Sequence, residues 1–298
     1  MRRSWWAIAS VALAMAAASV ACGGDDDDNG EADVTEEATE PDSTTVEAED
    51  SEGAGSIDIS GVEELEDGVL DVLSDVPYAP IEFFDEDDNV VGVDPDMAAA
   101  IAEKLGVDYE FIPTGFDAII PALNAGDGDA IMSAMTANEE RDQEVDFVEY
   151  LNVGTGIAIQ AGNPGGIEEF EDLCGQAVSV QALTIQEEQL AALNEGACAE
   201  DQIDIRSFPE QPLATQELAD GNVDAMIADF PVVFEAAQDN EGTVEALDLQ
   251  EEAAPYGIAC RTESPLCEAL QLAFDAIVED GTYDQVLETW GLTAASIE

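Results

Sequence analysis

The sequence contains no histidine and only six lysines and arginines, against 70 aspartates and glutamates, which gives a net charge of −64. Without histidine, the chain cannot carry a Ser-His-Asp or Cys-His catalytic system or an imidazole-ligated metal. Without a basic patch, it lacks the cations that dominate affinity for nucleic acid, so no nucleic-acid partner is expected. The 46% hydrophobic content of 298 residues still supplies enough apolar side chains for one or two ordinary domains.

Residues 1–21 predict an export signal rather than part of the fold. Arg2 and Arg3 precede an uncharged, alanine-rich run that is shorter than the ~20 residues of a stable membrane span. The following Ser-Val-Ala-Cys, which ends at Cys22, is similar to a bacterial lipobox, in which Cys22 would be lipidated and become the new N-terminus. A cleaved signal with an incidental cysteine is the alternative. The lipidated protein would be exported and attached through Cys22 to the outer face of the cytoplasmic membrane, at the cell surface or in the periplasm.

Residues 22–61 contain almost nothing that a core could bury, and residues 25–28 are four consecutive aspartates. This composition predicts a disordered, self-repelling tether between the lipid and the folded body. The excess of acidic residues continues through the body of the chain. It suggests selection for solubility in high salt, where the Debye length falls to ~3 Å at 1 M and like charges are screened.

Four cysteines follow Cys22 in the sequence, namely Cys174, Cys198, Cys260 and Cys267. An even number of cysteines in an exported chain favours two disulfides, and three connectivities are possible. The pairs Cys174–Cys198 and Cys260–Cys267 are the simplest of the three because both are local in sequence. No C-x2-C spacing supports a zinc site, so neither a metal nor a cofactor is expected.

The body of the chain, from about residue 62, alternates patterns of strand and helix, which is typical of the α/β class. Residues 69–73 predict a short buried strand, and residues 107–112 predict the next one. Residues 94–105 predict a helix with Asp94 as its N-cap and a glycine after its last turn. A second helix is predicted over residues 116–125.

One short pattern occurs twice, at residues 123–133 and at residues 218–229, with the same spacing of Leu, Gly, Asp and Ala. Each copy predicts a helix ended by glycine, followed at once by a buried strand with polar residues at its carboxyl end. Two such units indicate two similar lobes. In open α/β sheets, ligands bind beyond the carboxyl ends of the strands, so these polar residues are candidates for a binding site.

Arg141 follows the strand of the first copy. Thr136 and Glu139 have capping-box spacing, so a helix is predicted to start at Thr136. A guanidinium beside hydroxyl groups at a strand end is suited to a bidentate grip on a carboxylate. The alternative is a surface ion pair with Asp142 or Glu144.

Asp229 occupies the matching strand end in the second copy, where its carboxylate could accept hydrogen bonds from an ammonium group. The alternative is an N-cap for a helix that begins near Pro231. Arg141 and Asp229 on opposite lobes would together recognise the carboxylate and ammonium groups of an amino acid.

The sequence from residue 69 to residue 290 resembles bacterial solute-binding protein family 3, the receptors of polar amino-acid ABC transporters. The similar segments cover most of the body in the expected order. They are residues 75–80 (Asp-Val-Pro-Tyr-Ala-Pro), 91–97 (Val-Gly-Val-Asp-Pro-Asp-Met), 115–123, 129–141, 145–147, 222–229, 255–259 and 280–290.

The resemblance implies a two-lobed, type II periplasmic-binding-protein-like fold, with two similar αβ lobes joined by a two-strand hinge and a ligand cleft between them. Lobe 1 would comprise residues 62–153 and 254–298, and lobe 2 would comprise residues 154–253. The protein would then be the substrate-binding component of an ABC importer and not an enzyme. It would act as a monomer that captures an amino acid by lobe closure and delivers it to a membrane permease.

The resemblance also implies which residues hold the backbone of the amino acid. Arg141 would hold the carboxylate with help from Ser133, Thr136 and Thr184, and Asp229 would hold the ammonium group. The alternative for Thr184 is an ordinary helix N-cap.

The same resemblance places Tyr78 and Phe116 on either side of the ligand side chain and Asp75 at its polar end. The alternative for the two aromatic residues is an ordinary role in the core. The sequence departs from the family pattern at Ala134, where a second hydroxyl residue is common, and at residues 181–184, Gln-Ala-Leu-Thr, which replace a glycine-threonine-threonine loop. A carboxylate contact would be lost there and the pocket narrowed.

An aspartate at the polar end of the pocket favours glutamine or a cationic amino acid such as arginine or lysine, and disfavours acidic ligands. Three other functions remain open. The chain could bind a compatible solute such as ectoine, or it could be a sensor that signals to a membrane partner. It could also be an enzyme similar to cyclohexadienyl dehydratase, which would use a cleft carboxylate on a prephenate-like substrate.

Overall fold

The computed structural model describes residues 57–297. The predicted signal, Cys22 and most of the predicted tether lie outside the described residues. None of the helices in residues 57–297 is long and apolar enough to span a membrane.

The described part of the chain alternates strands and helices, as the sequence predicts for the α/β class. The strands are β1 (Val69–Ser74), β2 (Phe83–Phe84), β3 (Val90–Val91), β4 (Asp108–Pro113), β5 (Ala130–Ile131), β6 (Val145–Gln160), β7 (Ala177–Gln181), β8 (Asp204–Phe208), β9 (Ala225–Asp229) and β10 (Val244–Arg261). The helices are α1 (Val93–Leu105), α2 (Ile119–Ala125), α3 (Ile185–Glu195), α4 (Gln211–Ala219), α5 (Phe230–Asp239), α6 (Pro265–Glu279) and α7 (Thr282–Trp290).

Eight strands form one sheet in the order β4-β1-β5-β10-β6-β9-β7-β8, while β2 and β3 form a separate hairpin. In the first half of the eight-stranded sheet, β1 pairs in parallel with β4 and with β5. In the second half, β7 pairs in parallel with β8 and with β9. The long strands β6 and β10 run antiparallel between the halves. One end of β10 pairs with β5, and the distal part of β6 pairs with β9. The chain therefore passes between two αβ halves through these two strands, while the predicted lobe boundaries stay a prediction.

The repeated sequence pattern corresponds to two equivalent structural units, α2 followed by β5 and α4 followed by β9. Gly126 and Gly221 have φ values of 82° and 73°, a left-handed conformation that glycine adopts without strain. The carboxylate of Asp129 accepts a 3.0 Å hydrogen bond from the backbone of Asp71, and that of Asp224 accepts a 2.9 Å bond from Ala177. Each aspartate thus ties its strand to the start of the neighbouring strand.

Two predictions about helix starts are wrong. No helix begins at Thr136, because its backbone forms a bridge with Tyr256 instead, and residues 141–143 form a single 3-10 turn. The backbone N–H of Arg141 donates a 2.9 Å hydrogen bond to the side-chain oxygen of Asn138. Asp94 is not the N-cap of α1. It lies inside the first turn with its carboxylate fully buried, and Gly92 precedes the helix.

The two disulfides join the pairs that are local in sequence, Cys174 with Cys198 and Cys260 with Cys267. The first bond links the segment before β7 to the segment after α3. The second bond links the end of β10 to α6. One disulfide therefore cross-links the second half of the sheet, beside β7 and α3, and the other attaches α6 to β10.

Candidate functional site

A narrow cavity with about 20 Å³ of free volume lies between the two halves of the sheet. That space holds about one water molecule, so the halves must move apart to admit a larger ligand. All eight ligand-binding residues that the sequence predicts line this one cavity. They are Asp75, Tyr78, Phe116, Ser133, Thr136, Arg141, Thr184 and Asp229.

The cavity lies at the carboxyl ends of the strands because that is where the two αβ units turn. Asp75 follows β1, Ser133 follows β5, Gln181 ends β7 and Asp229 ends β9. Ligands in open α/β sheets bind at this edge, where loops and helix N-termini present their polar groups. The polar residues that follow the strands of the two repeated units therefore meet at one cavity, as the repeated pattern predicts.

Arg141 is the cation of the cavity. Of the four lysines and arginines in residues 57–297, the three others each lie within 4.0 Å of a carboxylate, and Arg141 does not. Its guanidinium donates to the backbone oxygens of Thr136 at 2.8 Å and Leu183 at 3.3 Å, and lies 5.3 Å from the ring centre of Phe116. Burial lowers the pKa of Arg141, but an arginine stays charged in proteins. This is a half-buried positive charge with no carboxylate of the described part of the chain within 4.0 Å, not a surface ion pair.

Asp229 is the main anion of the opposite wall. Its carboxylate accepts hydrogen bonds from the Tyr78 hydroxyl at 2.7 Å and from the Gln186 amide at 2.9 Å. Burial raises the pKa of Asp229 to about 6, although the donors and the charge of Arg141 oppose the shift. Asp229 stands at the N-cap position of α5, as its alternative role predicts, but its carboxylate makes no capping bond to that helix. At neutral pH it is an ionised acceptor that faces the cavity.

Asp75 forms a second anionic end of the cavity. The Gln181 amide donates a 2.5 Å hydrogen bond to its carboxylate. Burial raises the pKa of Asp75, and the like charges of Glu210 and Asp117 add to the shift. No lysine or arginine of residues 57–297 pairs with Asp75, so this end of the cavity is negative.

The hydroxyls of Ser133 and Thr184 already have hydrogen-bond partners. Ser133 donates to Glu82 at 3.0 Å and accepts from the backbone of Asp75 at 2.8 Å. Thr184 donates to the carbonyl oxygen of Gln181 at 2.8 Å and caps α3 by accepting from the backbone of Glu187. Each hydroxyl has one proton, so in this arrangement neither can donate to a ligand carboxylate. Thr184 therefore has the N-cap role that was its alternative, and it also lines the cavity.

The cavity includes residues that the sequence did not identify as site residues. Glu82, Ile185 and Gln186 belong to its lining, as do Ala134 and Gln181 from the segments that depart from the family pattern. Glu82 precedes the β2–β3 hairpin, and no local pattern in the sequence predicts its full burial. Gln186 could have been found, because it lies in the first turn of a helix that begins beside the cavity.

Comparisons with known proteins identify the family of the chain. The model of the bacterial extracellular solute-binding proteins, family 3, matches residues 70–293. The arginine-binding protein ArgT of Corynebacterium glutamicum is 32% identical over 228 residues, 76% of this chain and 75% of that protein. An ancestral arginine-binding protein, solved with glutamine and with arginine, is 37% identical with a TM-score of 0.70. The two structures cover 76% and 75% of this chain, and the matches span 98% of each ancestral chain.

A third relative connects the fold to enzymes. The ancestral amino acid-binding protein AncCDT-1, a precursor of cyclohexadienyl dehydratase, is 35% identical with a TM-score of 0.69, over 76% of this chain and 97% of its own. The solved relatives are two-lobed amino-acid-binding proteins, which confirms the predicted fold class. From the family match and the fold, the chain belongs to the bacterial extracellular solute-binding proteins of family 3.

Proposed function

We propose that this protein captures a free amino acid with a cationic side chain, L-arginine in the first place, and delivers it to the permease of an ABC importer. The observation that carries the proposal is the distribution of charge in the cavity. One half-buried guanidinium, Arg141, has no carboxylate of residues 57–297 within 4.0 Å, and two carboxylates, Asp75 and Asp229, lack a cation within the same distance.

The α-carboxylate and α-ammonium groups of the ligand match Arg141 and Asp229. A carboxylate would complete the hydrogen bonding of a guanidinium that now donates only to backbone oxygens in the described residues. An ammonium group would bind to Asp229, whose carboxylate is ionised at neutral pH despite its raised pKa of about 6. Charge-assisted hydrogen bonds of this kind are roughly twice as strong as neutral ones.

The side chain of the ligand would lie toward Asp75, between the rings of Tyr78 and Phe116. The pKa of Asp75 is raised by burial and by two neighbouring carboxylates, so a positive charge beside it would relieve unfavourable electrostatics. A guanidinium or ammonium group supplies that charge and the amide of glutamine does not. Acidic side chains would be repelled. The arginine-binding relatives support the same choice.

Ligand capture would proceed by closure of the two halves on the ligand. A ligand that contacts Arg141 on one side and Asp229 on the other favours the closed state by its differential affinity for that state. Attachment through a lipidated Cys22 would keep the receptor close to its permease. A sensor that couples closure to a membrane partner would use the same site. Ectoine would be the ligand of a compatible-solute receptor, and prephenate the substrate of an enzyme similar to cyclohexadienyl dehydratase. The similarity to AncCDT-1 is a reason to test prephenate.

Calorimetric titration of the purified protein tests the proposal. The ligands are L-arginine, L-lysine, L-glutamine, L-glutamate, ectoine and prephenate. We expect one-to-one binding of L-arginine, weaker binding of L-glutamine, and no binding of L-glutamate. Binding of ectoine or prephenate in preference to every amino acid would contradict the proposal.

The variant Asp75→Asn tests the side-chain assignment. Loss of a charge-assisted hydrogen bond should weaken arginine binding ~10-fold to 100-fold and glutamine binding by less than about threefold. Asp127→Asn, an exposed aspartate after α2, is the matched control and should leave both affinities unchanged. Equal losses for arginine and glutamine would show that Asp75 does not contact the ligand's charge.

A further inference from the structure

Two buried carboxyl groups, Glu82 and Asp94, lie next to each other, and Glu82 lines the cavity. The backbone N–H of Asp94 donates to the carbonyl oxygen of Ile81, the residue before Glu82, at 3.0 Å. The two carboxyl groups also accept hydrogen bonds from consecutive residues, Glu82 from Ser133 and Asp94 from Ala134. No lysine or arginine in residues 57–297 lies within 4.0 Å of either group. Two ionised carboxylates in contact, without a cation, would be strongly unfavourable in a buried site, so the pair must hold a proton.

The hydrogen bonds distinguish the two members of the pair. Both oxygens of Asp94 accept from protein donors, Oδ1 from the Tyr150 hydroxyl at 2.6 Å and Oδ2 from the backbone N–H of Ala134 at 3.1 Å. Donors on both oxygens favour the ionised form of a carboxyl group. Glu82 differs, because its Oε1 accepts from Ser133 but its Oε2 is buried and has no donor among the described residues.

We propose that Glu82 and Asp94 share a single proton, which resides on Oε2 of Glu82, and that neutral Glu82 is a positioning residue for the ligand site. The Oε2–H group donates to ionised Asp94, which satisfies the one oxygen that otherwise lacks a partner. Glu82 Oε1 is then an acceptor only, so the Ser133 hydroxyl must direct its proton toward Glu82. The direction of that bond leaves the lone pairs of Ser133 for the backbone N–H of Asp75 and for the cavity.

The result is a directional chain of hydrogen bonds that runs from Asp75 through Ser133 and Glu82 to Asp94. It fixes the backbone at Asp75, and it presents an acceptor oxygen of Ser133 beside the anionic end of the cavity. A ligand with a cationic side chain can donate to such an oxygen, whereas a carboxylate cannot. By orienting Ser133, the Glu82–Asp94 pair favours ligands with a cationic side chain. This part of the proposal rests on the proposed function.

Other groups around the pair oppose a second negative charge. Asp75 and Asp229 act on Glu82 through their charges, and the hydroxyl of Tyr150 lies against Asp94. Burial and the neighbouring carboxylates raise the pKa of Glu82 well above its ordinary value. Burial also raises the pKa of Asp94, but less, because the Tyr150 hydroxyl and the Ala134 N–H oppose the shift. These directions agree with a proton that the folded protein keeps at neutral pH.

Glu82→Gln and Asp94→Asn are isosteric variants that locate the proton. The amide of Glu82→Gln donates where Glu82 Oε2–H donates and accepts from Ser133, so arginine affinity should stay within threefold of the wild type. In Asp94→Asn, an NH2 group replaces one of the two oxygens that accept from Tyr150 and Ala134, so one donor meets another donor. The melting temperature of Asp94→Asn should therefore be lower than that of Glu82→Gln. Glu82→Ala removes the acceptor for Ser133 and should weaken arginine binding at least tenfold. A loss of tenfold or more in Glu82→Gln, or greater tolerance of Asp94→Asn, would overturn the assignment of the proton.

The pH dependence of unfolding tests the shared proton without any ligand. Above pH 4.5 an unfolded glutamate loses its proton and the folded Glu82 keeps it, so the folded state binds one proton more. Stability must then decrease as pH rises from 4.5 toward the raised pKa of the pair, by up to tenfold in the unfolding constant per pH unit. Glu82→Gln lacks this proton, and its stability should decrease less steeply between pH 5 and 7. Parallel slopes would overturn the shared proton, whereas failure of the wild type to bind arginine would overturn only the proposed function.

Discussion

The hydroxyl of Tyr78 donates a 2.7 Å hydrogen bond to the carboxylate of Asp229, although 151 positions separate the two residues in the sequence. Tyr78 follows a strand of the first half of the sheet, and Asp229 ends a strand of the second half. The family resemblance implies a ring contact with the ligand for Tyr78, and the hydroxyl adds a second role. It stabilises the ionised form of the carboxylate that is proposed to hold the ligand ammonium group, and it joins the two halves of the sheet.

The pH dependence of arginine affinity should follow Asp229. Its pKa is raised to about 6, and an ammonium group binds the ionised carboxylate. Affinity should therefore be constant above pH 7 and decrease below pH 6, by up to tenfold per pH unit. In Tyr78→Phe, loss of the donor raises the pKa of Asp229 further, so the decrease should begin at higher pH. Calorimetric titrations between pH 5 and 8 measure both profiles.

Tyr109→Phe is the matched control for this change, because Tyr109 is an exposed tyrosine on β4, away from the cavity. Its profile should coincide with that of the wild type. If Tyr78→Phe kept the wild-type profile as well, the hydroxyl would have no effect on the ionisation of Asp229.

The loop before α3 should be strained at Leu183. Its φ is 63°, a left-handed conformation that costs a leucine ~1–2 kcal/mol, and its side chain is 59% exposed. Leu183→Gly should relieve the strain and keep the backbone oxygen that accepts from Arg141. Leu213→Gly, an exposed leucine inside α4, should destabilise the protein by ~0.5–1 kcal/mol. Urea denaturation should show Leu183→Gly to be the more stable variant by ~1 kcal/mol or more, and a reversed order would contradict the strain.

The acidic composition should make stability depend on salt. Residues 57–297 contain only four cations, so almost all of their carboxylates lack a counter-ion. Raising sodium chloride from 0.1 to 1 M shortens the Debye length from ~10 to ~3 Å and screens the repulsion. At pH 7 the melting temperature should rise by about 5 °C or more, equivalent to ~2 kcal/mol. At pH 4 many carboxylates are protonated, so the rise should be much smaller, and an equal rise at both values would exclude this cause.

The sequence predicts those parts of the fold and site that depend on local patterns. The spacing of glycine and aspartate in two copies identifies both αβ units, and Arg141 is recognisable because cations are rare in this chain. Met97, Ile101 and Leu105 follow helical spacing, and all three are buried on one face of α1.

Long-range contacts account for what the sequence does not predict. Thr136 has a capping-box partner, but its backbone pairs with Tyr256, which follows 120 residues later, so no helix starts there. The local sequence predicts Asp94 to be an N-cap, but Asp94 lies in the first turn of α1 and its carboxylate accepts from the Tyr150 hydroxyl in the core. The burial of Glu82 depends on Asp94 and Ser133, which no local pattern connects to it.

The most direct test of the proposed site compares L-arginine with agmatine, which is arginine without its α-carboxylate, on the wild type and on Arg141→Ala. Arg141 is in no ion pair within residues 57–297, so the variant should fold. If Arg141 holds the carboxylate, Arg141→Ala should weaken arginine binding by about 100-fold or more and change agmatine binding by less than about threefold. Equal losses for the two ligands, or unchanged binding of arginine, would contradict the assignment of Arg141 and with it the proposed orientation of the amino acid in the cavity.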